Sequence, residues 1–324
     1  MFFSLKLTAT LLLVAVTAAA HAQAPKDYPS KPIKMVVSFP PGGPTDSSIR
    51  MITEKLGEIL KQPVFVENKA GAGGNLGAQS VTTAAPDGYT FLVTSSAYAV
   101  NPSLYGAKAG YNPDKDFTPV VVVSTQPNVI SVNEKVPANS LAELKVYAAN
   151  GKASFASPGS GTTPHLTCEN IFRVFWKSDI VHIPYKGAGP ASLAVVSGET
   201  PVGCTAAYGV YQFYKQGKVK ILGISSEKRL ASLPEVPTFA ELGYPDINDY
   251  TWSTIFAPAG TPAGIIEKMN SAVNQILDMP EFKAKFDKGG LQTVGGTPAE
   301  TATYITSEIA RWAKVVKSTG AKVE

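Results

Sequence analysis

The chain has few cysteines, few histidines and few charged side chains. Two cysteines and three histidines occur among 324 residues, and charged residues make up 17%. The cysteines form no CxxC pair and no histidine lies at ligand spacing, so we predict no metal site and no cofactor. The 29 basic residues form no basic run, and we therefore expect no nucleic-acid partner.

Long apolar runs are also missing beyond the start of the chain. Lys6 precedes an apolar run over residues 11–20, and Ala20-His21-Ala22 has the small-x-small form of a signal-peptidase site. We predict that residues 1–22 are a signal peptide cleaved near Ala22, that the mature protein is periplasmic, and that its formal charge falls from +4 to about +3 with the loss of Lys6.

In an oxidising compartment Cys168 and Cys204 fit either a disulfide or two buried thiols.

Glycine (28) and proline (25) are plentiful. Residues 33–39 predict a buried strand, residues 40–46 a glycine-proline turn, and the apolar spacing over 49–60 a helix. We expect Thr45 or Asp46 to cap that helix. Free backbone N–H groups beside a helix N-terminus favour anion binding. An ordinary strand-to-helix turn is the alternative.

A second glycine-rich turn over residues 70–77 invites a nucleotide-binding interpretation. The GxGxxG pattern needs glycine where Leu76 stands, and the Gly-Lys-Ser/Thr of a P-loop is absent, so the sequence argues against a nucleotide site. The strand over residues 90–93 ends in Thr94, Ser95 and Ser96. Ligands of open α/β sheets bind at such strand ends.

From about Ser124 the pattern restarts. Strands precede two further turns, a hydroxyl-rich one over residues 157–165 and a glycine-rich one over 186–190, and another strand covers 202–205. Near the C-terminus, Thr297 and Glu300 form a capping box that opens the last helix. Two α/β units followed by returning helices indicate two lobes around a cleft.

These motifs resemble those of the periplasmic receptors of tripartite tricarboxylate transporters, often called Bug proteins. The resemblance covers nearly the whole mature chain. It is carried by Tyr28-Pro29-Ser30-Lys31-Pro32, Phe39-Pro40-Pro41-Gly42-Gly43-x-x-Asp46, Val66-Glu67-Asn68-Lys69-x-Gly71-Ala72-Gly73-Gly74, Pro86-Asp87-Gly88-Tyr89-Thr90, Asn101-Pro102-Ser103-Leu104-Tyr105, Pro158-Gly159-Ser160-Gly161, Pro184-Tyr185-Lys186-Gly187, Leu233-Pro234-x-Val236-Pro237-Thr238, and Glu308 with Trp312.

The resemblance implies an α/β fold of the type II periplasmic binding protein class, in which two lobes joined by two crossover strands close over a ligand. The crossings are expected near residues 121–124 and 250–255. Lobe 1 would comprise residues 23–123 and 252–324, and lobe 2 residues 124–251. We expect a monomer.

The resemblance also implies a small carboxylate ligand, one carboxylate of which is held by the first-lobe turns through backbone N–H groups and ordered waters. Carried over to this sequence, those turns supply Pro41, Gly42, Gly43, Asp46, Gly71, Ala72, Gly73 and Asn75. From the residues themselves we add Phe39 and Tyr208 as flanks of a flat ligand, Ser95 at its strand end, and the second-lobe residues Ser157, Ser160, Thr162, Thr163 and Thr205.

One position departs from relatives that bind amino acids. Those relatives tend to carry an aspartate where this chain has Thr205, and that acid pairs with the ligand's ammonium group. An amino-acid ligand is therefore disfavoured. A second acid group would meet the hydroxyls of Ser157, Thr162, Thr163 and Thr205, which favours a dicarboxylate or an aromatic carboxylate, terephthalate-like compounds included.

The resemblance implies delivery of the ligand to membrane permease subunits and no enzyme activity. A receptor for a sensor kinase is an alternative that the sequence does not separate. A periplasmic serine esterase built on Ser160 and His165 is a third possibility. It is disfavoured because the turn lacks the GxSxG form.

Overall fold

The computed structural model describes residue 25 and residues 27–151 and 153–323. The predicted signal peptide lies outside them. The strands are β1 (Ile33–Val37), β2 (Val64–Asn68), β3 (Thr90–Ser95), β4 (Phe117–Asn133), β5 (Ser154–Ser157), β6 (Val181–Pro184), β7 (Val202–Ala206), β8 (Val219–Ile224), β9 (Tyr250–Pro258) and β10 (Gln292–Gly295). The α-helices are α1 (Pro44–Leu60), α2 (Asn75–Thr82), α3 (Ala97–Tyr105), α4 (Leu141–Ala149), α5 (Thr163–Glu169), α6 (Ala188–Ser197), α7 (Ala207–Lys215), α8 (Ala263–Leu277), α9 (Pro280–Asp287) and α10 (Pro298–Thr319).

The strands form two groups that share one long strand. Their order is β2-β1-β3-β9-β4-β7-β5-β6, and β8 and β10 also pair with β4. The triplets β2-β1-β3 and β7-β5-β6 are each parallel. The turns after these strands therefore gather at the carboxyl edge of each group, where ligands of α/β sheets bind.

Strand β4 belongs to both groups. It pairs with β9 as far as Pro127 and with β7 from Asn128 onward. We call the region of β1–β3, β9 and β10 the first lobe and the region of β5–β8 the second lobe. The apolar run of β4 ends at Val123, but its backbone pairing continues through polar residues, so the strand changes partners slightly beyond the predicted crossing. The predicted lobe boundaries themselves stay a prediction.

Each lobe has its own buried core because its strands are apolar on both faces. In the first lobe Met35, Phe91 and Ile255 pack together with Ile266 of α8. In the second lobe Ile130, Phe155 and Phe172 form the corresponding centre. The C-terminal helices α8 and α10 thus pack against the first lobe.

The last helix begins as its sequence predicts. Thr297 accepts a hydrogen bond from the Glu300 N–H and the Glu300 carboxylate accepts one from the Thr297 N–H, which completes the capping box. Ile305 and Trp312 are buried on one face of α10 and join the core of the first lobe.

The two cysteines, left open by the sequence, form a disulfide. Cys168 on α5 is bonded to Cys204 on β7, across a sequence separation of 36. Both residues are fully buried. The bond fixes α5, whose first turn faces the cleft, to the central strand of the second lobe.

Candidate ligand-binding site

A cavity lies between the two lobes. It is lined by Phe39, Pro40, Pro41, Gly43, Pro44, Thr45, Ser95, Pro158, Thr162, Thr163, Pro164, Gly187, Ala188, Gly189, Pro190, Ala206 and Thr251. Among the described residues that line it, none carries a charge. Any charged ligand must therefore be met by backbone dipoles and hydroxyl groups.

The first lobe contributes the start of α1. We expected Thr45 or Asp46 to cap this helix, and that prediction is wrong. The N-cap is Gly43 and the first helical residue is Pro44, because proline has the fixed φ and the missing N–H that this position favours. No side chain caps the helix, so the N–H groups of its first turn and its positive dipole end are left for an anion.

Asp46 lies behind the turn, outside the cavity lining. Its buried carboxylate accepts hydrogen bonds from the Gly42 N–H (2.8 Å), from Arg50 Nε (2.9 Å) and from Asn68 Nδ2 (2.8 Å). Asn68 Nδ2 also donates to the Phe39 carbonyl at 2.9 Å. This network joins the two ends of the turn and fixes its shape, so the structure gives Asp46 a supporting position.

The second lobe contributes the start of α6. Its first residue, Ala188, and the following Gly189 line the cavity, and no side chain caps this helix either. Gly187 has φ +110°, and a Cβ there would lie 3.0 Å from the ring of Pro40 in the opposite lobe. The two lobes therefore touch at this point, and glycine permits both the conformation and the close approach.

The glycine-rich turn lines a second cavity. This second cavity is lined by Gly71, Ala72 and Gly73 of the first lobe and by Lys186 of the second. The two cavities share Phe39, Pro40, Pro158 and Gly187, which separate them. The two first-lobe turns, predicted to act together on one carboxylate, therefore face different compartments of the cleft.

Gly73 marks a second contact between the lobes. A Cβ there would lie 2.4 Å from the Ser160 carbonyl oxygen. The same oxygen accepts a hydrogen bond from the Tyr105 hydroxyl at 3.0 Å. Asn101 Nδ2 donates to the Gly73 carbonyl and to Asn75 Oδ1, so Asn75 supports this turn from the interior.

Hydroxyl groups line the cavity where the second lobe meets the crossing strands. Thr163 Oγ1 lies 2.7 Å from Ser96 Oγ and 2.8 Å from Thr251 Oγ1. The Thr162 hydroxyl donates to the Gly159 carbonyl at 2.8 Å. Ser95 accepts from the Ala97 N–H at 3.2 Å.

Ser157 is fully buried behind the hydroxyl-rich turn. Its hydroxyl lies 2.7 Å from His182 Nε2, and His182 stacks on His165 with 4.0 Å between ring centroids. Burial lowers the pKa of His182 to about 4, with a further contribution from Arg173, and burial together with His182 lowers the pKa of His165 well below its usual value. His182 is a core residue, as predicted.

Ser160 and His165, the pair of the disfavoured esterase alternative, have no hydrogen bond between their side chains among the described contacts. His165 Nδ1 accepts the Gly161 N–H at 3.3 Å, and the described hydrogen bonds of Ser160 run through its backbone carbonyl.

Thr205 and Tyr208 also lie outside the cavity lining. Thr205 is buried and its hydroxyl has no hydrogen-bond partner among the described residues. The Tyr208 side chain packs against the core of the first lobe, beside Gly289. The next lining residue after Thr205 is Ala206.

Of the predicted residues, Phe39, Pro41, Gly43, Ser95, Thr162 and Thr163 line the first cavity, and Gly71, Ala72 and Gly73 line the second. Gly42, Asp46, Asn75, Ser157, Ser160, Thr205 and Tyr208 line neither. Thr251 and the lining prolines other than Pro41 were missed. Pro44, Pro164 and Pro190 lie in the first turns of α1, α5 and α6, where proline is favoured, so the sequence signals these three. Thr251 reaches the site only through the crossing of β9.

Within the described part of the chain, no group of histidine, cysteine, aspartate and glutamate side chains could hold a metal ion. None of the helices in residues 27–151 and 153–323 combines the length and the apolar character needed to cross a bilayer.

Comparisons with known proteins agree with this fold. Residues 48–321 match the family described as the tripartite tricarboxylate transporter family receptor. BugT of Bordetella pertussis is 37% identical over 324 residues, which cover 98% of this chain and 99% of BugT. Two solved structures from Rhodopseudomonas palustris are each 32% identical. Rpa4515 with adipate has a TM-score of 0.87 and covers 92% of this chain and 100% of its own, and MatC with bound malate has a TM-score of 0.84 and covers 89% and 100%. The chain therefore belongs to the receptor family of the tripartite tricarboxylate transporters, with the two-lobed α/β fold of periplasmic binding proteins.

Proposed function

We propose that this receptor captures a small organic carboxylate between its lobes, closes over it, and delivers it to the permease subunits of a tripartite tricarboxylate transporter. The expected ligand is a dicarboxylate or an aromatic carboxylate. Receptors of this family are periplasmic, which fits cleavage of a signal peptide near Ala22. The relatives solved with adipate and malate support the carboxylate class.

The observation that carries the proposal is the uncharged cavity at the uncapped start of α1. Backbone N–H groups at a helix N-terminus bind a carboxylate without a countercharge, and the dipole adds roughly 0.3–1 kcal/mol. The six prolines and Phe39 give the remaining wall an apolar surface that suits the carbon skeleton of the ligand. Contacts between the lobes at Gly187 and Gly73 support closure as the binding step.

The proposal is tested by calorimetry on protein freed of bound ligand by unfolding and refolding. Succinate, adipate, benzoate, terephthalate, aspartate and glutamate are titrated in turn. We expect binding of at least one dicarboxylate or aromatic carboxylate and weaker binding of the amino acids. Failure of every carboxylate to bind would refute the proposed function.

A matched pair of variants tests the role of the α1 turn. Asp46→Ala removes the acceptor of the Gly42 N–H and of Asn68, so the turn loosens and carboxylate affinity should fall about tenfold, the equivalent of one charge-assisted hydrogen bond. Glu54→Ala removes the same charge from an exposed position of the same helix and should leave affinity unchanged. Equal affinities in the two variants would contradict a supporting role for Asp46.

A further inference from the structure

A chain of hydrogen bonds leads from the cavity wall into the protein. Thr251 Oγ1 lies 2.7 Å from Asn128 Oδ1, and Asn128 Nδ2 lies 2.9 Å from Thr167 Oγ1. Thr167 Oγ1 in turn lies 2.9 Å from Asp249 Oδ2 and 2.9 Å from the Thr163 carbonyl oxygen. All of these side chains are at least nine-tenths buried, so water does not compete for their hydrogen bonds.

The direction in which hydrogen atoms are donated along this chain of hydrogen bonds is fixed at its inner end. A threonine hydroxyl has one hydrogen, and both the Asp249 carboxylate and the Thr163 carbonyl can only accept. Thr167 must therefore donate to one of these two oxygens and accept from Asn128. The Asn128 amide consequently turns its NH₂ group to Thr167 and its oxygen to Thr251.

The orientation of Asn128 also fixes which hydroxyl groups of the cavity wall donate and which accept. Thr251 donates its hydrogen to Asn128 Oδ1, so it can only accept from Thr163. Thr163 accordingly donates to Thr251 and accepts from Ser96. Thr162 is likewise occupied, because it donates to the Gly159 carbonyl. These three lining threonines thus have no hydroxyl hydrogen left for a ligand, although their lone pairs remain.

The anchor of the chain is an ion-paired cluster that does not touch the cavity. Arg311 of α10 donates to the Asp249 carboxylate and, at 3.1 Å, to Glu308 Oε1. Glu308 Oε2 accepts the indole N–H of both Trp252 and Trp312 at 3.1 Å. Glu308, which is itself bound by Trp312, therefore positions Arg311, and Arg311 positions Asp249.

We propose that the wall of Thr162, Thr163 and Thr251 accepts a hydrogen bond from a hydroxyl group of the ligand, so that the receptor selects hydroxycarboxylates. Asp249 and Arg311 act as positioning residues, because they set the direction of the hydroxyls without contacting the ligand. This inference rests on the proposed carboxylate-binding function and replaces the expectation that a second acid group meets these hydroxyls. A carboxylate placed against these three hydroxyls would face only acceptors.

Matched ligands test the selectivity. Calorimetry compares malate with succinate, and 4-hydroxybenzoate with benzoate and terephthalate. In at least one of the two series we expect the hydroxylated compound to bind about tenfold tighter, the effect of one hydrogen bond to a buried acceptor. Equal binding within both series, or tighter binding of succinate and terephthalate, would overturn this inference alone. Failure of all five compounds to bind would overturn the proposed function as well.

Variants test the residues that carry the selectivity. Thr251→Val removes an acceptor with little change of shape, and it should weaken binding of the hydroxylated ligand about tenfold more than binding of its deoxy partner. In Asp249→Asn the side-chain amide can donate to Thr167, so the direction of hydrogen donation along the chain is no longer fixed. The ratio of the affinities for the hydroxylated and deoxy ligands should then fall towards one. Asp246→Asn, exposed in the same loop, is the control and should keep the wild-type preference. A wild-type preference in Asp249→Asn would refute the positioning role.

Discussion

Gly73 offers a direct test of lobe closure. It lies in the glycine-rich turn of the first lobe with φ 62° and ψ 24°, and a Cβ there would stand 2.4 Å from the Ser160 carbonyl oxygen of the second lobe. Ordinary contact begins at 3.4 Å. Gly73→Ala therefore forces the two lobes about 1 Å apart at this point, while an open form of the protein has room for the methyl group.

The magnitude has two parts. An alanine in the left-handed region costs roughly 1–2 kcal/mol in the open and closed forms alike, so this part cancels in the binding equilibrium. The separation of the lobes acts only on the closed form. It removes the hydrogen bond from the Tyr105 hydroxyl to the Ser160 carbonyl, about 1 kcal/mol, and adds residual overlap of similar size. A total of about 2 kcal/mol weakens ligand binding about thirtyfold.

Gly320→Ala is the matched control. Gly320 has φ 63° and ψ 21°, nearly the conformation of Gly73, and a Cβ there meets nothing within 4 Å. Calorimetry with the tightest carboxylate of the panel measures affinity, and thermal unfolding without ligand measures the shared strain. We expect similar unfolding temperatures and a large difference in affinity. Equal affinities would refute the argument that closure brings these two backbones together.

Two further predictions concern stability. Replacing Cys168 and Cys204 together by alanine should lower the free energy of unfolding by roughly 4 kcal/mol, because the bond closes a segment with a sequence separation of 36. Urea unfolding with and without reductant measures this, and insensitivity of the wild-type protein to reductant under unfolding conditions would contradict the bond. The lowered pKa values of His165 and His182 make the protein acid-sensitive. Between pH 6.5 and about 4 the unfolded chain binds protons that the folded chain does not, so stability is lost as pH falls, by up to about 1.4 kcal/mol per pH unit for each histidine. Unfolding temperatures at pH 7 and pH 5 measure the loss, His182→Gln should reduce it, and a pH-independent wild-type protein would show that these histidines are not buried uncharged.

Several features could be predicted from local sequence because their causes are local. The strand at residues 33–37 and the helix after it follow from apolar spacing, and the capping box at Thr297 follows from two residues three positions apart. The predicted cap at Thr45 or Asp46 failed for an equally local reason. Pro44 takes the first helical position, and this places the N-cap at Gly43, a residue that has no side chain with which to cap the helix.

The site was predicted in part, because the sequence shows where turns occur and not which way their side chains point. Asp46, Ser157 and Thr205 stand in or beside the predicted turns, yet all three are buried away from the cavity lining. Their strands and helices pack on both sides, and the alternation of neighbouring side chains decides which residue faces the ligand. Ala206 therefore lines the cavity where Thr205 was expected.

The sequence by itself determined the turns, the secondary structure of both lobes and the family. Each of these depends on residues close together along the chain or on the order of many short motifs. The tertiary structure alone decided that Cys168 bonds to Cys204, that Thr251 joins the cavity wall, and that Asp249 fixes the hydroxyls from behind. Those contacts join residues that are distant in sequence, and only the crossing of β4 and β9 between the lobes brings them together.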